Sequence, residues 1–305
     1  MSQTPRISLI AVGRNDDYGG DFRFRLQQWA TWSVHQLSQA KVTSEVIFVN
    51  YNPLDAEPIK SFIKWPDSTE WVKVKLITVP NEEHQKIVRE YGVKDVPVLE
   101  YHAKNIGVRR AKGEFILCMN PDILIPTKVI RSFSNLSETS YYRTNRLDYS
   151  NEIHINVDKT LTEQLSGSVK AVWLKGNYVL LDGFSTPSYY YKLLRNKLSN
   201  LWKLSTLHLR SILDFCSIPV YYNRLQYKYH SNASGDFLLM SRQNWVKLKG
   251  YKEASKIALH TDSLMVIQAA FLGLKEHTYL SPIYHKQHER RYDAVNKVDV
   301  DQDEA

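Results

Sequence analysis

Cysteine is scarce in this sequence, with only Cys118 and Cys216 among 305 residues. Two cysteines provide neither a disulfide framework nor a zinc site, and their scarcity is compatible with a reducing compartment. Cys118 lies inside an apolar run, so we expect it to be buried as a small hydrophobic side chain. A chain of this length can bury one large core, or a core and a smaller lobe.

Long apolar runs are also missing. The longest ones are far too short to span a bilayer, and the first residues, Met-Ser-Gln-Thr-Pro-Arg, have no apolar segment of the signal-peptide kind. We therefore expect a cytoplasmic protein with no signal peptide and no transmembrane helix. Peripheral contact with the inner face of a membrane stays open.

Signatures of nucleic-acid binding are absent, although the chain is basic, with a net charge of +8 and a pI of about 9.2. We find no helix-turn-helix, zinc-finger or RNA-binding pattern, and no dinucleotide fingerprint Gly-x-Gly-x-x-Gly. We therefore expect no nucleic-acid partner. Phosphate groups of a ligand, or an anionic lipid surface, suffice to explain the positive charge.

A buried strand followed by an acidic turn is the most informative pattern that the sequence does contain. Residues 115–119 are apolar without a break, which is typical of a strand buried on both faces. The run ends at Asn120-Pro121-Asp122, because Pro121 has no N–H to donate and Asn and Asp favour turns. The pattern places a carboxylate at the carboxyl end of a central strand, where open α/β sheets bind ligands.

Strands and helices alternate over the first 122 residues. Residues 7–12, 45–49 and 74–79 predict strands, and residues at helical spacing from Phe22 to Leu37 predict a helix. A short helix with small residues on its inner face precedes Gly113. This alternation predicts a parallel, doubly wound sheet with right-handed crossovers. The loop at 13–21 is rich in Gly and Asp, so its backbone can approach a ligand closely.

The unit at 101–122 resembles the GT-A glycosyltransferases. That family has an Arg/Lys-Asn pair, then Ala-x-Gly, then a strand that ends in Asp-x-Asp; the matches here are Lys104-Asn105, Ala111-Lys112-Gly113 and Asn120-Pro121-Asp122. Asn120 departs from the motif, whereas Asp122 keeps the second Asp, which in the family usually ligates the metal that holds a nucleotide diphosphate. The resemblance implies an α/β fold of the GT-A class: a doubly wound, Rossmann-like mixed sheet with an inserted, aromatic-rich acceptor-side segment.

Two later stretches extend the resemblance. A Gly-Asp loop at 232–236, an apolar strand and a helix ending at Gly250-Tyr251 are similar to the family's second conserved region. Thr261 is a good N-cap, and Asp262 matches the final acid of the family motif x-Glu-Asp, which is the catalytic base of inverting enzymes. Thr261 departs from the Glu of that motif. The resemblance makes Asp262 the expected base and Asp236, in the Gly-Asp loop, its competitor.

Two histidines that follow the last predicted strand, 279–284, are candidate metal ligands. GT-A enzymes often supply a C-terminal His to the metal at this point; His285 matches best and His288 is the runner-up. One carboxylate from Asp122 and one imidazole, completed by diphosphate oxygens and water, suit Mn²⁺ or Mg²⁺.

The resemblance also implies a set of donor contacts near the same strand ends. The residues expected to contact a nucleotide sugar are Gly13, Arg14, Asn15, Asn50, Lys104, Asn105, Arg109 and Asn120. Asn50, or Asn52 beyond it, would read the base. An amide both donates and accepts hydrogen bonds, so it fits the edge of uracil.

The chain is predicted to have four segments. Residues 1–139 form the nucleotide-sugar-binding half of one GT-A domain, 140–230 an acceptor-side insertion, 231–292 the catalytic half, and 293–305 an acidic, disordered tail. Inside the insertion, 169–174 and 178–181 predict a hairpin. Residues 189–215 predict one or two amphipathic helices with a basic face, packed on the core with solvated charges or lying on a membrane or an acceptor.

These motifs together predict an inverting glycosyltransferase of hexosyl or deoxyhexosyl groups. It would use a nucleoside-diphosphate sugar, with UDP favoured, a divalent metal, and an acceptor hydroxyl on a glycan or on a lipid- or protein-linked acceptor. Asp262 would remove the hydroxyl proton. Two alternatives stay open. One is a relative that binds nucleotide or glycan without turnover, which Asn120 and Thr261 favour; the other is a nucleotidyltransferase of similar topology, for which the loop at 13–20 is a poor match.

Overall fold

The computed structural model describes residues 4–54, 58–93, 95–150, 152–213, 225, 227–253 and 261–288, with the backbone alone at 206–213. Cys216 and the acidic tail at 293–305 lie outside the described residues, so the expectations about them stay predictions.

The amino-terminal half alternates strands and helices, as the sequence predicts. Its elements are β1 (Ile7–Gly13), α1 (Phe22–Gln39), β2 (Ser44–Tyr51), α2 (Ile59–Phe62), β3 (Val72–Val79), α3 (Asn81–Tyr91), α4 (Glu100–Arg110) and β4 (Phe115–Cys118). Helix α3 comes from the polar segment whose helical pattern is weak in the sequence. Two glutamates in its first turn and a left-handed Gly92 after its last residue account for its limits.

The remaining elements build the other part of the sheet. They are β5 (Ile123–Leu124), α5 (Thr127–Arg131), β6 (Ser140–Tyr149), α6 (Leu161–Leu165), β7 (Val169–Leu174), β8 (Asn177–Leu180), α7 (Thr186–Leu213), β9 (Leu238–Ser241), α8 (Arg242–Lys247), α9 (Thr261–Phe271) and β10 (Lys275–Lys286). A short 3-10 helix, Ser234–Asp236, precedes β9.

The strands of the described residues form one sheet in the order β3-β2-β1-β4-β9-β6-β10-β5, and the β7–β8 hairpin extends from β6. β1 runs parallel to β2 and β4, and β6 runs parallel to β10. β9 is antiparallel to both of its neighbours, β4 and β6. The expected mixed α/β sheet is therefore confirmed, with parallel strands on either side of an antiparallel one.

The centre of the sheet is buried on both faces. Every residue of β1 and β4 is buried, and α1 packs on one face while α4 packs on the other. Gly113 joins α4 to β4 at a close approach: a Cβ atom there would lie 2.6 Å from the backbone nitrogen of Ser8. Glycine at this point lets the connection between α4 and β4 pass directly against the backbone of β1.

The first part of segment 140–230 is a strand of the main sheet, and the residues after it form elements outside the main strand order. β6 lies between β9 and β10, and nine of its ten residues are buried. The predicted hairpin is confirmed as β7–β8, which turns at Gly176 with a φ of 69°. The predicted amphipathic region forms a single helix of 28 residues, α7. No helix among the described residues is long and apolar enough to cross a membrane. The four-segment division itself stays a prediction.

Candidate active site

Four strand ends meet at one cavity of about 870 Å³. β1 and β4 are parallel, so Arg14 and Asp122 emerge at the same edge of the sheet. β6 and β10 are also parallel, and Asp148 and His285 are direct partners in their register. The cavity walls also contain Asp236, Asp262, Trp173, Tyr178 and His288. This is the edge at which open α/β sheets bind ligands.

Asp122, His285 and His288 form a cluster that could hold a metal ion. Each offers one ligand atom, and these atoms lie within 4.8 Å of one another. Oδ2 of Asp122 is 3.1 Å from Nε2 of His288 and 3.8 Å from Nε2 of His285. The sequence left the choice between the two histidines open, and the structure brings both to the same carboxylate.

The surroundings of Asp122 fit a bound cation. Its Oδ1 atom is buried without a hydrogen-bond partner in the described part of the chain, while Oδ2 accepts a bond of 3.1 Å from Arg25. Burial alone would raise the pKa of Asp122, but the two histidines and Arg25 outweigh burial and hold that pKa well below its usual value. An ionised carboxylate with an unused oxygen, next to two imidazoles, is a suitable donor set for Mn²⁺.

Asp148 fixes the orientation of His285. Its Oδ1 atom lies 3.0 Å from Nδ1 of His285, and its Oδ2 accepts a bond of 2.9 Å from Nε1 of Trp173. Nε of Arg146 is 2.8 Å from Oδ1 of Asp148. Burial would raise the pKa of Asp148, yet the His285 hydrogen bond and the Arg146 charge lower it. An ionised Asp148 holds the Nδ1 proton of His285 and leaves Nε2 directed at Asp122.

Asn120 and Lys104 belong to a buried polar network beside the cluster. The ammonium of Lys104 donates to Glu100 at 2.5 Å, to Asn120 Oδ1 at 2.9 Å and to the carbonyl of Gly235 at 2.8 Å. Nδ2 of Asn120 donates to Asp236 at 2.8 Å. Lys104 is completely buried, and burial alone would lower its pKa, but the charge of Glu100 raises it. The ammonium is therefore held inside the protein, with its three donors used.

The two candidate bases have different environments. Asp236 is buried, accepts from Asn120 and forms an ion pair with Arg146. Asp262 is partly exposed at the start of α9, and its Oδ2 accepts from the Gly235 amide at 2.7 Å. Asp262 thus lines the cavity with Oδ2 bound to Gly235, whereas both oxygens of Asp236 are engaged.

Of the other residues predicted to contact the donor, some line the cavity and some do not. Gly13 and Arg14 line the cavity, and Arg14 donates to the carbonyl of Asn52 at 2.6 Å. The side chain of Asn15 instead closes its loop through two bonds to the backbone of Leu54, at 2.8 and 2.6 Å. Asn50 is buried at the end of β2, and its Oδ1 atom has no partner in the described part of the chain.

Asn105 and Arg109 lie on the side of α4 that contacts the segment after α8. Nδ2 of Asn105 donates to the carbonyl of Tyr251 and to Glu253, both at 2.8 Å, and Arg109 pairs with Glu253 at 2.8 Å. These bonds connect α4 to the segment that follows α8 at Gly250 and Tyr251. The structure therefore places both Lys104 and Asn105 in support of the cavity wall.

Sequence reasoning missed several residues that line or support the cavity: Arg25, Arg146, Asp148, Trp173 and Tyr178. Arg146 and Asp148 are two residues apart in a strand, so their side chains point to the same face. Two opposite charges at this spacing were a pattern in the sequence that could have identified the pair. Arg25 lies on the buried side of α1 together with Leu26 and Trp29. A charged residue on that apolar side was a comparable signal in the sequence.

Comparisons with known proteins find similarity to solved structures but not to a family model or a curated sequence. No family model matches the chain, and no curated protein matches it by sequence. A mannosyltransferase from Pyrobaculum calidifontis, solved with GDP-mannose and Mn²⁺, is similar with a TM-score of 0.49 and 13% identity over 96% of this chain. GalNAc-T7, solved with UDP, GalNAc and Mn²⁺, is similar with a TM-score of 0.47 and 11% identity over 94% of this chain. The chain covers 60% and 45% of those two structures, respectively.

Proposed function

We propose that the chain is a metal-dependent glycosyltransferase that moves a hexosyl or deoxyhexosyl group from a nucleoside-diphosphate sugar to an acceptor hydroxyl. The observation that carries the proposal is one cavity that contains both the Asp122, His285 and His288 cluster and the carboxylate of Asp262. A cation site and a partly exposed carboxylate are the two parts that metal-assisted transfer to a hydroxyl requires.

Asp122, His285 and His288 would hold the divalent ion. Two imidazoles in the set of three favour Mn²⁺ over Mg²⁺, which prefers oxygen ligands. An ion held there would supply positive charge that stabilises a leaving diphosphate. Arg14 and the backbone of Gly13 line the same cavity and are proposed to contact the nucleotide.

Asp262 is proposed as the general base. It takes the proton of the acceptor hydroxyl while the hydroxyl oxygen forms a bond to the anomeric carbon, and the bond from that carbon to the diphosphate breaks. A single displacement from the opposite face inverts the configuration. The Gly235 amide fixes one carboxylate oxygen of Asp262 at 2.7 Å, which leaves the other for the proton.

The sugar and acceptor are proposed to bind beside the β7–β8 hairpin. The rings of Trp173 and Tyr178 lie 4.6 Å apart and both line the cavity. Aromatic faces pack well against the C–H faces of sugar rings. The acceptor would be a glycan or a lipid- or protein-linked hydroxyl. UDP stays the proposed donor nucleotide because the amide of Asn50, next to the last residue of β2, can both donate to and accept from the edge of uracil.

A second candidate function is binding of a nucleotide sugar without turnover. The specific observation in its favour is Asn120, whose amide supplies Asp236 with a hydrogen bond of 2.8 Å and offers no carboxylate to a metal. This alternative retains metal-dependent binding of the nucleotide, but it predicts neither transfer nor donor hydrolysis.

Calorimetry with UDP and GDP, with and without Mn²⁺, tests the metal cluster. Asp122→Asn keeps the shape of the side chain and removes its charge, so we expect the Mn²⁺-dependent part of nucleotide affinity to fall at least tenfold. The control is Asp182→Asn, because Asp182 is fully exposed and lies outside the cavity. Unchanged Mn²⁺-dependent affinity in Asp122→Asn, with wild-type thermal stability, would reject the metal assignment. Release of free sugar from the matching donor then separates transferase from binding protein.

A further inference from the structure

Helix α7 presents a continuous apolar stripe to solvent. Its large apolar side chains at three- and four-residue spacing are 42 to 68% exposed; the stripe consists of Tyr190, Tyr191, Leu194, Leu198, Leu201 and Trp202. The opposite face holds Tyr189, Asn196 and Asn200, which are buried against the β7–β8 hairpin and its surroundings. Surface helices usually pack through an apolar face and expose a polar one. Helix α7 instead packs through a partly polar face and exposes an apolar face.

The charges on α7 all have one sign. Thr186–Leu213 contains no Asp or Glu, and its basic residues are Lys192, Arg195, Lys197, Lys203 and Arg210. Arg195 and Lys197 are exposed. On a helical wheel of 100° per residue they fall on opposite sides of the stripe. An apolar stripe with Trp and Tyr between cations is the arrangement that binds the interface of an anionic membrane.

A second copy of the chain is a poor occupant for this surface. A two-fold contact would place the same stripe and the same cations opposite one another. Since α7 carries no acidic residue, the two helices would repel through their basic flanks. Anionic lipid supplies the missing complementary charge as well as an apolar phase for the stripe.

Helix α7 is also tied to the cavity wall. Nδ2 of Asn196 and Nδ2 of Asn200 donate to the carbonyl of Lys175, at 3.1 and 2.7 Å, in the turn of the β7–β8 hairpin. The two strands of that hairpin contribute Trp173 and Tyr178 to the cavity. A surface bound by α7 therefore lies one hairpin away from the candidate active site.

We propose that the exposed stripe of α7 docks on an anionic membrane surface and thereby brings the cavity to a lipid-linked acceptor. The membrane contact follows from α7 alone, and the acceptor class rests on the proposed glycosyltransferase function. The stripe enters the interface to the depth of its Leu, Tyr and Trp side chains, while Arg195 and Lys197 contact lipid phosphates.

Vesicle co-sedimentation of the full chain tests the docking. We expect binding to vesicles of phosphatidylcholine with 30% phosphatidylglycerol, and at least tenfold weaker binding to phosphatidylcholine alone or at high salt. Leu194→Gln, Leu198→Gln and Leu201→Gln combined should reduce the partition coefficient at least tenfold. Arg195→Glu with Lys197→Glu should reduce it by a similar factor, because each cation near the surface is worth about fivefold.

Matched controls come from exposed residues elsewhere on the molecule. Val246, Phe271 and Leu280 are 60 to 68% exposed, so their combined change to Gln removes as much exposed apolar surface outside α7. Lys60→Glu with Lys128→Glu reverses two exposed charges outside the helix. These controls should bind vesicles within about twofold of the wild type if α7 is the docking surface.

Three results would overturn the proposal: no binding of the wild type to anionic vesicles, equal binding by the α7 variants, or a wild-type dimer that the triple Gln variant converts to monomer in light scattering. Nucleotide binding in solution with Mn²⁺ is measured on the same proteins. A wild-type protein that binds nucleotide but not anionic vesicles rejects the docking alone. Vesicle binding without any nucleotide binding rejects the proposed function and the acceptor class instead.

Discussion

Asp148 acts on the candidate metal cluster through His285. The neutral imidazole has one proton, and the carboxylate at 3.0 Å from Nδ1 keeps that proton on the side away from Asp122. Trp173 and Arg146 in turn fix the carboxylate. Asp148 is therefore a positioning residue rather than a metal ligand.

Asp148→Asn should lower the affinity for Mn²⁺ about 10- to 100-fold, since the amide cannot supply the charge that orients and strengthens the imidazole ligand. Calorimetric titration with Mn²⁺ alone measures this directly. Asp158→Asn is the control, because the Asp158 side chain is 79% exposed. Wild-type Mn²⁺ affinity in Asp148→Asn would assign Asp148 a structural role only.

Asp262→Asn should leave donor affinity within a few-fold of the wild type and lower the transfer rate by about 10²- to 10⁴-fold. The substitution keeps the shape of the side chain, and it removes the ability to take a proton. Transfer is followed with a labelled donor, and nucleotide affinity is followed by calorimetry.

Asp236→Asn is the companion measurement for the base. Asp236 is paired with Arg146 and Asn120, so its amide variant should perturb stability and binding together with rate. If Asp262→Asn transfers sugar normally while Asp236→Asn binds donor but transfers none, the base is Asp236.

At the scale of elements, most strands and helices up to residue 122 were predictable because each has either an unbroken apolar run or apolar residues at helical spacing. Helices α2 and α3 lack such a pattern and were not predicted. β1, α1, β2, β3 and β4 fall where the sequence places them, within two residues at each predicted strand end. The acidic turn after β4 was predictable for a related reason: Pro121 marks the end of the strand. Local signals of this kind do not depend on distant contacts.

β6 and α7 were harder to interpret for physical reasons. Ser140–Tyr149 is a buried strand with charged and polar residues inside. Arg143 donates to backbone carbonyls some 90 residues away in the chain, and Arg146 pairs with the equally distant Asp236 as well as with Asp148. Its pattern therefore lacks an apolar run. Asp148 was missed with it, because no Gly or Pro marks the end of the strand. For α7 the helical spacing was clear, but the sequence does not reveal which face would be packed. Two buried Asn, the buried Tyr189 and the partly buried Leu193 hold the helix, while Leu194, Leu198 and Leu201 are exposed.

At the scale of the whole molecule, buried histidines should make the stability of the fold depend on pH. His230 is completely buried next to Arg143 and Lys175, and burial followed by these charges lowers its pKa well below the usual 6.5. Burial also lowers the pKa of His102, even though the neighbouring Glu253 acts in the opposite direction. Both residues therefore stay neutral in the folded chain and take up protons in the unfolded one.

The sign of the effect follows from this difference in proton binding. Above about pH 6.5 neither state binds these protons, and stability does not change on their account. Below that pH the unfolded chain binds protons that the folded chain excludes, so the free energy of unfolding should fall by up to about 1.4 kcal/mol per pH unit for each histidine. Urea unfolding without metal, from pH 7.5 to 5.5, measures the slope. His230→Gln removes the ionisable ring and should flatten it, whereas His154→Gln, at an exposed position, should not. Equal slopes in the wild type and in His230→Gln would show that His230 does not carry the effect.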